Sequence, residues 1–208
     1  AGNMLGGEQS GFISDIGYDT FMKILDEAIT ELKEVDYKDL YKDETGKKDV
    51  KYARDCQIET DSDMYIPDEY ISSSQDRMKV YSDLNDIKND ADLYVYLKNL
   101  KDVYGALPRQ INEISETLRL KWVAIRLGIE RIILKKGKMK CLLIQNQESP
   151  FFQSEVFTEI LNYIEKNPLG TSLKQTKQHL IIEFKNITKA NDGLERLKEI
   201  KGFVIKEK

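Results

Sequence analysis

The sequence predicts an α+β fold: a helical segment followed by β-hairpins that are packed with helices. Two observations predict this class. Apolar residues recur every three or four positions through most of residues 74–128, which is typical of amphipathic helices. After Gly128 they fall instead in short runs or alternate with polar residues, separated by turn signals, which favours hairpin strands. Helices first and strands afterwards indicate an α+β domain rather than an alternating α/β one.

Three segments precede this domain. Residues 1–17 contain five glycines and show no apolar period, so they are interpreted as a loop. Residues 18–34 predict an amphipathic helix, because apolar side chains recur at i, i+3, i+4 and i+7. Residues 35–55 are rich in lysine and aspartate and predict an exposed linker. The folded domain is therefore expected to occupy residues 56–208.

Caps and stops divide the first half of the domain. A short strand is predicted at Cys56–Thr60, where apolar and polar residues alternate. Three helices are expected after it, the first capped near Ser74, the second beginning near Asp90 and the third at Pro108. Glycines at positions 105 and 128 are expected to end the second and third helices.

The second half predicts two hairpins and two helices. Lys136-Gly137-Lys138 indicates a turn between strands at 129–134 and 139–144. Ser149-Pro150 is typical of a helix start, and this helix is expected to end before Pro168. Strands at 173–177 and 179–184 and a final helix over 190–200 complete the prediction.

Composition excludes several classes of protein. The chain has 208 residues, 32 bases and 36 acids, a net charge of −4, and 40% hydrophobic residues, which is ordinary for a globular domain and argues against disorder. No run approaches the ~18 apolar residues of a membrane helix, so no membrane association is expected. The first ten residues do not resemble a secretory signal. Cys56 and Cys141 are far apart in the sequence and form no Cys-x-x-Cys motif, which is typical of reduced cytoplasmic thiols.

No catalytic or metal-binding constellation stands out. There is no phosphate-binding loop, the carboxylates are scattered through polar segments, and His179 is the single histidine. Two cysteines and one histidine leave a zinc site without a fourth ligand. The chain by itself is therefore expected to be non-enzymatic, with no metal and no cofactor.

A basic cluster is the sharper functional candidate. Residues 1–92 carry 11 bases and 23 acids (net −12), whereas residues 93–208 carry 21 and 13 (net +8). Such a cluster could neutralise nucleic-acid phosphates. The alternative, which is favoured here, is a solvated hairpin tip together with the polar face of a helix, because the one aromatic residue in this stretch, Trp122, belongs to the apolar stripe of the helix and no others interleave. The cluster comprises Arg119, Lys121, Arg126, Arg131, Lys135, Lys136, Lys138 and Lys140.

A second candidate surface lies on the second predicted helix. Tyr94 and Val95 fall outside its apolar stripe, and tyrosine is enriched at protein interfaces because it combines a large apolar area with a polar tip. The second face of this helix is therefore a candidate protein interface.

Several ordered motifs resemble one protein family. AGNMLGGEQSG followed by FISDIGYDTFMKILDEAITELK is similar to the end of the translocase module in the bacterial transcription-repair coupling factor (Mfd) family, and more loosely to the translocation motif of the RecG helicase. YIPDEYI, VYGALP and LGIERIILKKGK then follow in the order found in that family's C-terminal domain. The resemblance covers essentially the whole chain.

The resemblance implies the following expectations. Residues 1–17 would end the translocation-motif loop, in which Gln9 would help transmit nucleotide state, and residues 18–34 would be a helix of the translocase module. The ATP- and magnesium-dependent motor, which moves on double-stranded DNA, would belong to the parent protein outside this chain. The C-terminal domain would pack on a UvrB-like module of the same parent. It would thereby mask the surface that recruits UvrA and restrain the motor until RNA polymerase is engaged.

Overall fold

The computed structural model describes residues 52–146, 148–176 and 179–200. The predicted loop 1–17 with Gln9, the predicted helix 18–34 and all but the last four residues of the predicted linker 35–55 lie outside the described residues.

The described chain is an α+β domain, which confirms the predicted class. Strand β1 is followed by three helices, a hairpin, a short 3₁₀ helix, a fourth helix, a second hairpin and a fifth helix. In chain order the elements are β1 (Gln57–Thr60), α1 (Ser74–Asp86), α2 (Asp90–Tyr104), α3 (Arg109–Arg126), β2 (Ile129–Lys135), β3 (Lys138–Leu143), a 3₁₀ helix (Pro150–Gln153), α4 (Glu155–Lys166), β4 (Thr171–Gln175), β5 (Leu180–Lys185) and α5 (Ala190–Lys198).

Local caps explain where the first helices begin and end. The Ser73 hydroxyl accepts a hydrogen bond from the Asp76 backbone N–H, and the Asn89 side chain accepts one from that of Asp92. Each cap satisfies one of the backbone donors that a helix start leaves unpaired. Gly105 ends α2 at a φ of 88°, a left-handed backbone conformation that glycine adopts without strain.

The strands form one mixed sheet with the order β1-β2-β3-β5-β4. β1 lies parallel to β2, with Ile58 opposite Ile132, and the other neighbouring pairs are antiparallel. The two antiparallel hairpins have short connections, whereas the parallel pair needs a long crossover. Helices α1 to α3 supply that crossover.

The sheet is covered by helices on one face. Ile132, Cys141 and Ile182 lie side by side on three strands and are completely buried under α3, α4 and α5. The alternate residues point to the opposite face, where Arg131, Lys140 and others are exposed. Among the residues that the structure describes, the domain therefore has a helical layer on one side of the sheet and nothing packed on the other, which we call the open sheet face.

Helix α3 connects two hydrophobic cores. Ile111 and Ile114, near its start, pack with α1, α2 and the segment 64–71 in a helical core. Leu120 and Val123, near its end, pack with the sheet, α4 and α5 in a sheet core. One helix thus fixes the position of both halves.

Two local features differ from the sequence interpretation. The helix predicted from Ser149-Pro150 is interrupted: a 3₁₀ turn ends at Gln153, and α4 begins after Ser154, whose hydroxyl donates to the Phe151 carbonyl while accepting from the Phe157 N–H. This break places the Phe151 ring in the sheet core. Residues 52–55 of the predicted linker also pack on the domain, because the Ala53 N–H donates to the Ile125 carbonyl and Ala53 is buried.

Candidate interaction surfaces

The predicted basic cluster is divided between the two layers of the domain. On α3, Arg119 forms ion pairs with Asp90 and Glu116, each at 2.6 Å. Lys121 lies 3.0 Å from Asp55. Arg126 occupies the last turn of α3, where the helix dipole stabilises a positive charge. The basic residues on α3 are thus largely engaged in interactions within the domain.

The hairpin part of the cluster lies on the open sheet face and its turn. Arg131 and Lys135 point to this face and both hydrogen-bond to Glu59 on the neighbouring strand. These bonds, led by that from Arg131, lower the pKa of Glu59. Lys136 occupies the turn with a φ of 53°, and its backbone N–H donates to Asp61. Lys138 begins β3 and is exposed.

Strand pairing brings further lysines to this face that the cluster did not include. Lys174 on β4 and Lys185 on β5 are exposed there beside Lys140. Lys174 donates to Glu183 at 3.3 Å. Burial alone would raise the pKa of Glu183, but this bond and the nearby Lys138 and Lys140 charges outweigh it, so the pKa is lowered. The alternation of side chains along a strand predicts which face each lysine occupies. It does not predict which strands are neighbours, so it could not show that these lysines lie side by side.

Helix α2 presents an apolar outer surface. Tyr94, Val95 and Val103 are 69%, 56% and 71% exposed, respectively. Val95 and Val103 are eight residues, or about 2.2 turns, apart, so they lie within about 80° of each other around the helix. Lys98 and Asp102 are interspersed among them. The structure therefore places the two residues of the predicted interface, Tyr94 and Val95, on the solvent side.

The two cysteines are unsuited to nucleophilic or ligand roles. Both are buried in the sheet core as free thiols. Burial raises the pKa of Cys56 and that of Cys141, which disfavours the thiolate that acts as nucleophile or metal ligand. Within the described residues, no group of three or more His, Cys, Asp and Glu side chains could hold a metal ion.

A depression lies beside α4 and contains polar groups that bond to one another. It is lined by Tyr163, Asn167 and Arg196, among others. Tyr163 donates to Glu199 at 2.8 Å, and Arg196 pairs with the same carboxylate at 3.3 Å.

Of the helices that the structure describes, none is both long and apolar enough to span a bilayer.

Comparison with known proteins shows which family this chain resembles. Residues 60–154 match the family model described as the TRCF domain. Residues 60–154 of this chain are therefore similar to the TRCF domain. The matched part begins at the last residue of β1 and spans the three crossover helices, the first hairpin and the 3₁₀ turn, so it covers both the helical core and the centre of the sheet.

Similar proteins extend the agreement beyond the TRCF domain. The transcription-repair-coupling factor of Staphylococcus epidermidis is 28% identical over 198 residues, which is 95% of this chain, and that of Staphylococcus haemolyticus is 25% identical over the same share. The crystal structure of a transcription-repair coupling factor C-terminal domain superposes with a TM-score of 0.57 at 18% identity, covering 71% of this chain and 94% of that one. The chain spans only 15% of the length of these coupling factors. The resemblance stated from the sequence motifs is thereby confirmed.

Proposed function

We propose that this chain is the regulatory, protein-binding module of a transcription-repair coupling factor. In this proposal the module docks on the UvrB-like module of the same parent protein, masks the surface that recruits UvrA, and restrains the motor until RNA polymerase is engaged. The observation that carries the proposal is the relationship to coupling factors along 95% of the chain. The proposed setting is the bacterial cytoplasm.

The proposal places the chemistry of the parent outside this chain. The match covers 15% of the coupling factors, so ATP, magnesium and movement on double-stranded DNA are assigned to the remaining 85% (100 − 15). The TRCF domain would then act by binding and release, with no reaction of its own. The buried, protonated thiols of Cys56 and Cys141 support this division, because neither is available as a nucleophile.

We assign docking to the outer face of α2, defined by Tyr94, Val95 and Val103. These side chains would contribute the apolar part of an interface, whereas Lys98 and Asp102 keep it polar enough to be hydrated when open. Interfaces between domains of one chain are commonly of this mixed kind, which permits relative movement. The predicted linker, residues 35–55, of which residues 52–55 pack on the domain, would keep the released module close to its partner.

Calorimetric titration of the chain with the separately purified UvrB-like module tests this assignment. We expect Val95→Asp combined with Val103→Asp to weaken binding by at least about 10-fold, because two apolar contacts would be replaced by buried carboxylates. The matched control is Leu169→Asp, since Leu169 is 90% exposed in the connection between α4 and β4. The control should bind like the unmodified chain.

The function and its location can fail separately. If wild-type chain does not bind the module, even when joined to it by a flexible linker, and deletion of this region leaves the ATPase rate of the parent unchanged, the regulatory function is wrong. If wild-type chain binds but the double variant binds equally well, the function stands and the α2 face is the wrong surface.

A further inference from the structure

The open face of the sheet gathers cations from four strands. Six basic residues point to this face, and we call them the basic sheet face. Register places Arg131 and Lys135 on β2, two lysines on β3, and one each on β4 and β5. All six are exposed. The six are Arg131, Lys135, Lys138, Lys140, Lys174 and Lys185.

The carboxylates on the same face do not balance this charge. Glu59 and Glu183 are the acidic residues that strand register places there, so the register-paired positions of the face carry a net charge of +4 (6 − 2). Two further carboxylates lie at its margins: Glu130 in the irregularity of β2, and Asp61 beside the Lys136 turn. Glu59 bonds to Arg131 and Lys135, and Glu183 bonds to Lys174. The remaining three lysines have exposed side chains. They provide the excess positive charge.

Three of the lysines stand directly opposite one another. Lys135 pairs with Lys138 across β2 and β3, and Lys138 pairs with Lys185 across β3 and β5. Neighbouring strands are ~4.7–4.9 Å apart, and like charges placed directly opposite destabilise a sheet. Threonine or valine would satisfy the strands without this repulsion. A bound polyanion would relieve the repulsion along the whole row.

The composition of the face favours phosphate over an acidic protein surface. Five of the six cations are lysine, a residue that is depleted at protein interfaces. Lysine is instead a common partner of phosphate, which it binds as a point charge. The other side chains between the cations are aliphatic, namely Ile133, Leu142 and Ile181, so the described strands offer no aromatic platform on this face for stacking unpaired bases.

We propose that the basic sheet face binds the phosphodiester backbone of double-stranded nucleic acid, without reading its sequence. Lys138, Lys140 and Lys185 are the principal contacts, and Arg131, Lys135 and Lys174 extend the positive field. This surface lies on the opposite side of the sheet from the helical layer, so the proposal does not depend on docking through the α2 face.

Fluorescence anisotropy of the 208-residue chain with a short, labelled DNA duplex of random sequence tests the proposal. We expect the joint variant Lys138→Gln, Lys140→Gln, Lys185→Gln to weaken binding by at least about 10-fold at about 50 mM salt. It should also lower the slope of log affinity against log salt by about 2 to 3, because each lost phosphate contact removes nearly one unit. The matched control, Lys79→Gln, Lys101→Gln, Lys166→Gln, removes the same charge from exposed sites on α1, α2 and α4 and should lose less than about 2-fold.

Four results would overturn the proposal. They are no binding of duplex at low salt, an equal loss of affinity in both triple variants, tighter binding of a single-stranded oligonucleotide of the same length, and displacement of the duplex by poly-glutamate more readily than by unlabelled duplex. The last result would identify an acidic protein as the partner. Circular dichroism establishes that both variants are folded. If the triple variant is unstable, the single variant Lys140→Gln tests the proposal in the same titration. It is expected to lose about 2- to 5-fold in affinity for the duplex, and an unchanged affinity would overturn the proposal.

Discussion

The helical core and the sheet core take their residues from the chain in different ways. The helical core uses side chains between Met64 and Leu118, so all of its contacts fall within one stretch of 55 residues (118 − 64 + 1). The sheet core uses side chains from Ala53 to Ile200, with α3 linking the two. Contacts between distant residues require long loops to close first, at a cost in entropy. The helical core is therefore the half whose packing follows most directly from local sequence, whereas the sheet core depends on strand pairing.

The two cores are also anchored differently. In the helical core, Tyr81 accepts a hydrogen bond from the Ile66 N–H at 2.7 Å and donates to the Met64 carbonyl at 3.1 Å. In the sheet core, Phe151 contacts the rings of Tyr52, Phe152 and Phe157. The first anchor is polar and directional, and the second is a cluster of apolar rings. Mutations should expose this difference.

Truncation of one buried side chain in each core should produce the largest effects and show whether the halves unfold together. We expect Phe151→Ala to lower the free energy of unfolding by ~3–5 kcal/mol and Leu93→Ala by ~2–5 kcal/mol, since both side chains are fully buried. Because α3 belongs to both cores, each variant should shift the whole transition. Urea unfolding followed by Trp122 fluorescence and by far-ultraviolet circular dichroism measures this. Separate midpoints for the two probes would show that the cores unfold independently.

A pair of glycine substitutions should separate steric packing from backbone strain in the sheet half. Gly128 has a φ of 67° and Gly137 one of 71°, so alanine is strained at both by ~1–2 kcal/mol. A Cβ on Gly128 would also come within 2.6 Å of the Phe151 ring, whereas one on Gly137 meets nothing within 4 Å. We expect Gly128→Ala to cost a further ~1–3 kcal/mol, because the buried ring cannot withdraw. Equal losses of unfolding free energy would mean that the ring does move.

Removal of the polar anchor should weaken the helical core by a smaller amount. We expect Tyr81→Phe to lower the free energy of unfolding by ~1–3 kcal/mol, because the Ile66 N–H loses its acceptor in a buried position. Chemical denaturation measures the loss, and hydrogen exchange of the Ile66 amide should accelerate. The control is Tyr94→Phe, which changes an exposed hydroxyl and should stay within ~0.5 kcal/mol of the unmodified chain. An unchanged Tyr81→Phe variant would show that water replaces the hydroxyl.

The smallest expected effect concerns the acid sensitivity of the sheet face. The pKa of Glu183 is lowered in the folded state, so its ionised form stabilises the fold above its unfolded pKa of ~4.3, and this contribution disappears as pH falls through the folded pKa. We expect Glu183→Gln to be less stable than the unmodified chain at neutral pH by ~0.2–1 kcal/mol and nearly equal to it in acid. Thermal unfolding between about pH 7 and about pH 3 measures the convergence. A constant difference over this range would show that the carboxylate contributes by packing instead of charge.

Most elements of the fold could be predicted from the sequence because their signals are local. Apolar periodicity and caps act over three or four residues. The predicted helix starts near Ser74 and Asp90 and the predicted helix end at Gly105 therefore agree with the structure. The turn at Lys136-Gly137 was found for the same reason, since it joins adjacent strands. The break at Gln153 was missed because it depends on where the Phe151 ring must lie in the core.

The candidate surfaces were only partly predictable. Exposure of Tyr94 and Val95 follows from their position off the apolar stripe of α2. The basic cluster, by contrast, was defined by proximity in sequence, and neither the pairing of Lys121 with Asp55 nor the arrival of Lys185 beside Lys138 can be deduced that way. These contacts join residues 66 (121 − 55) and 47 (185 − 138) positions apart.

The sequence by itself determined the class of the domain, nearly all of its helices and strands, and the family that its motifs resemble, because each of these is written in short-range patterns. Only the tertiary structure decided that β1 lies parallel to β2, that one side of the sheet is left open, and that lysines from separate strands meet there. The reason is physical: a residue fixes the conformation of its neighbours through sterics and hydrogen bonds, but its distant partners are chosen by the packing of the whole chain.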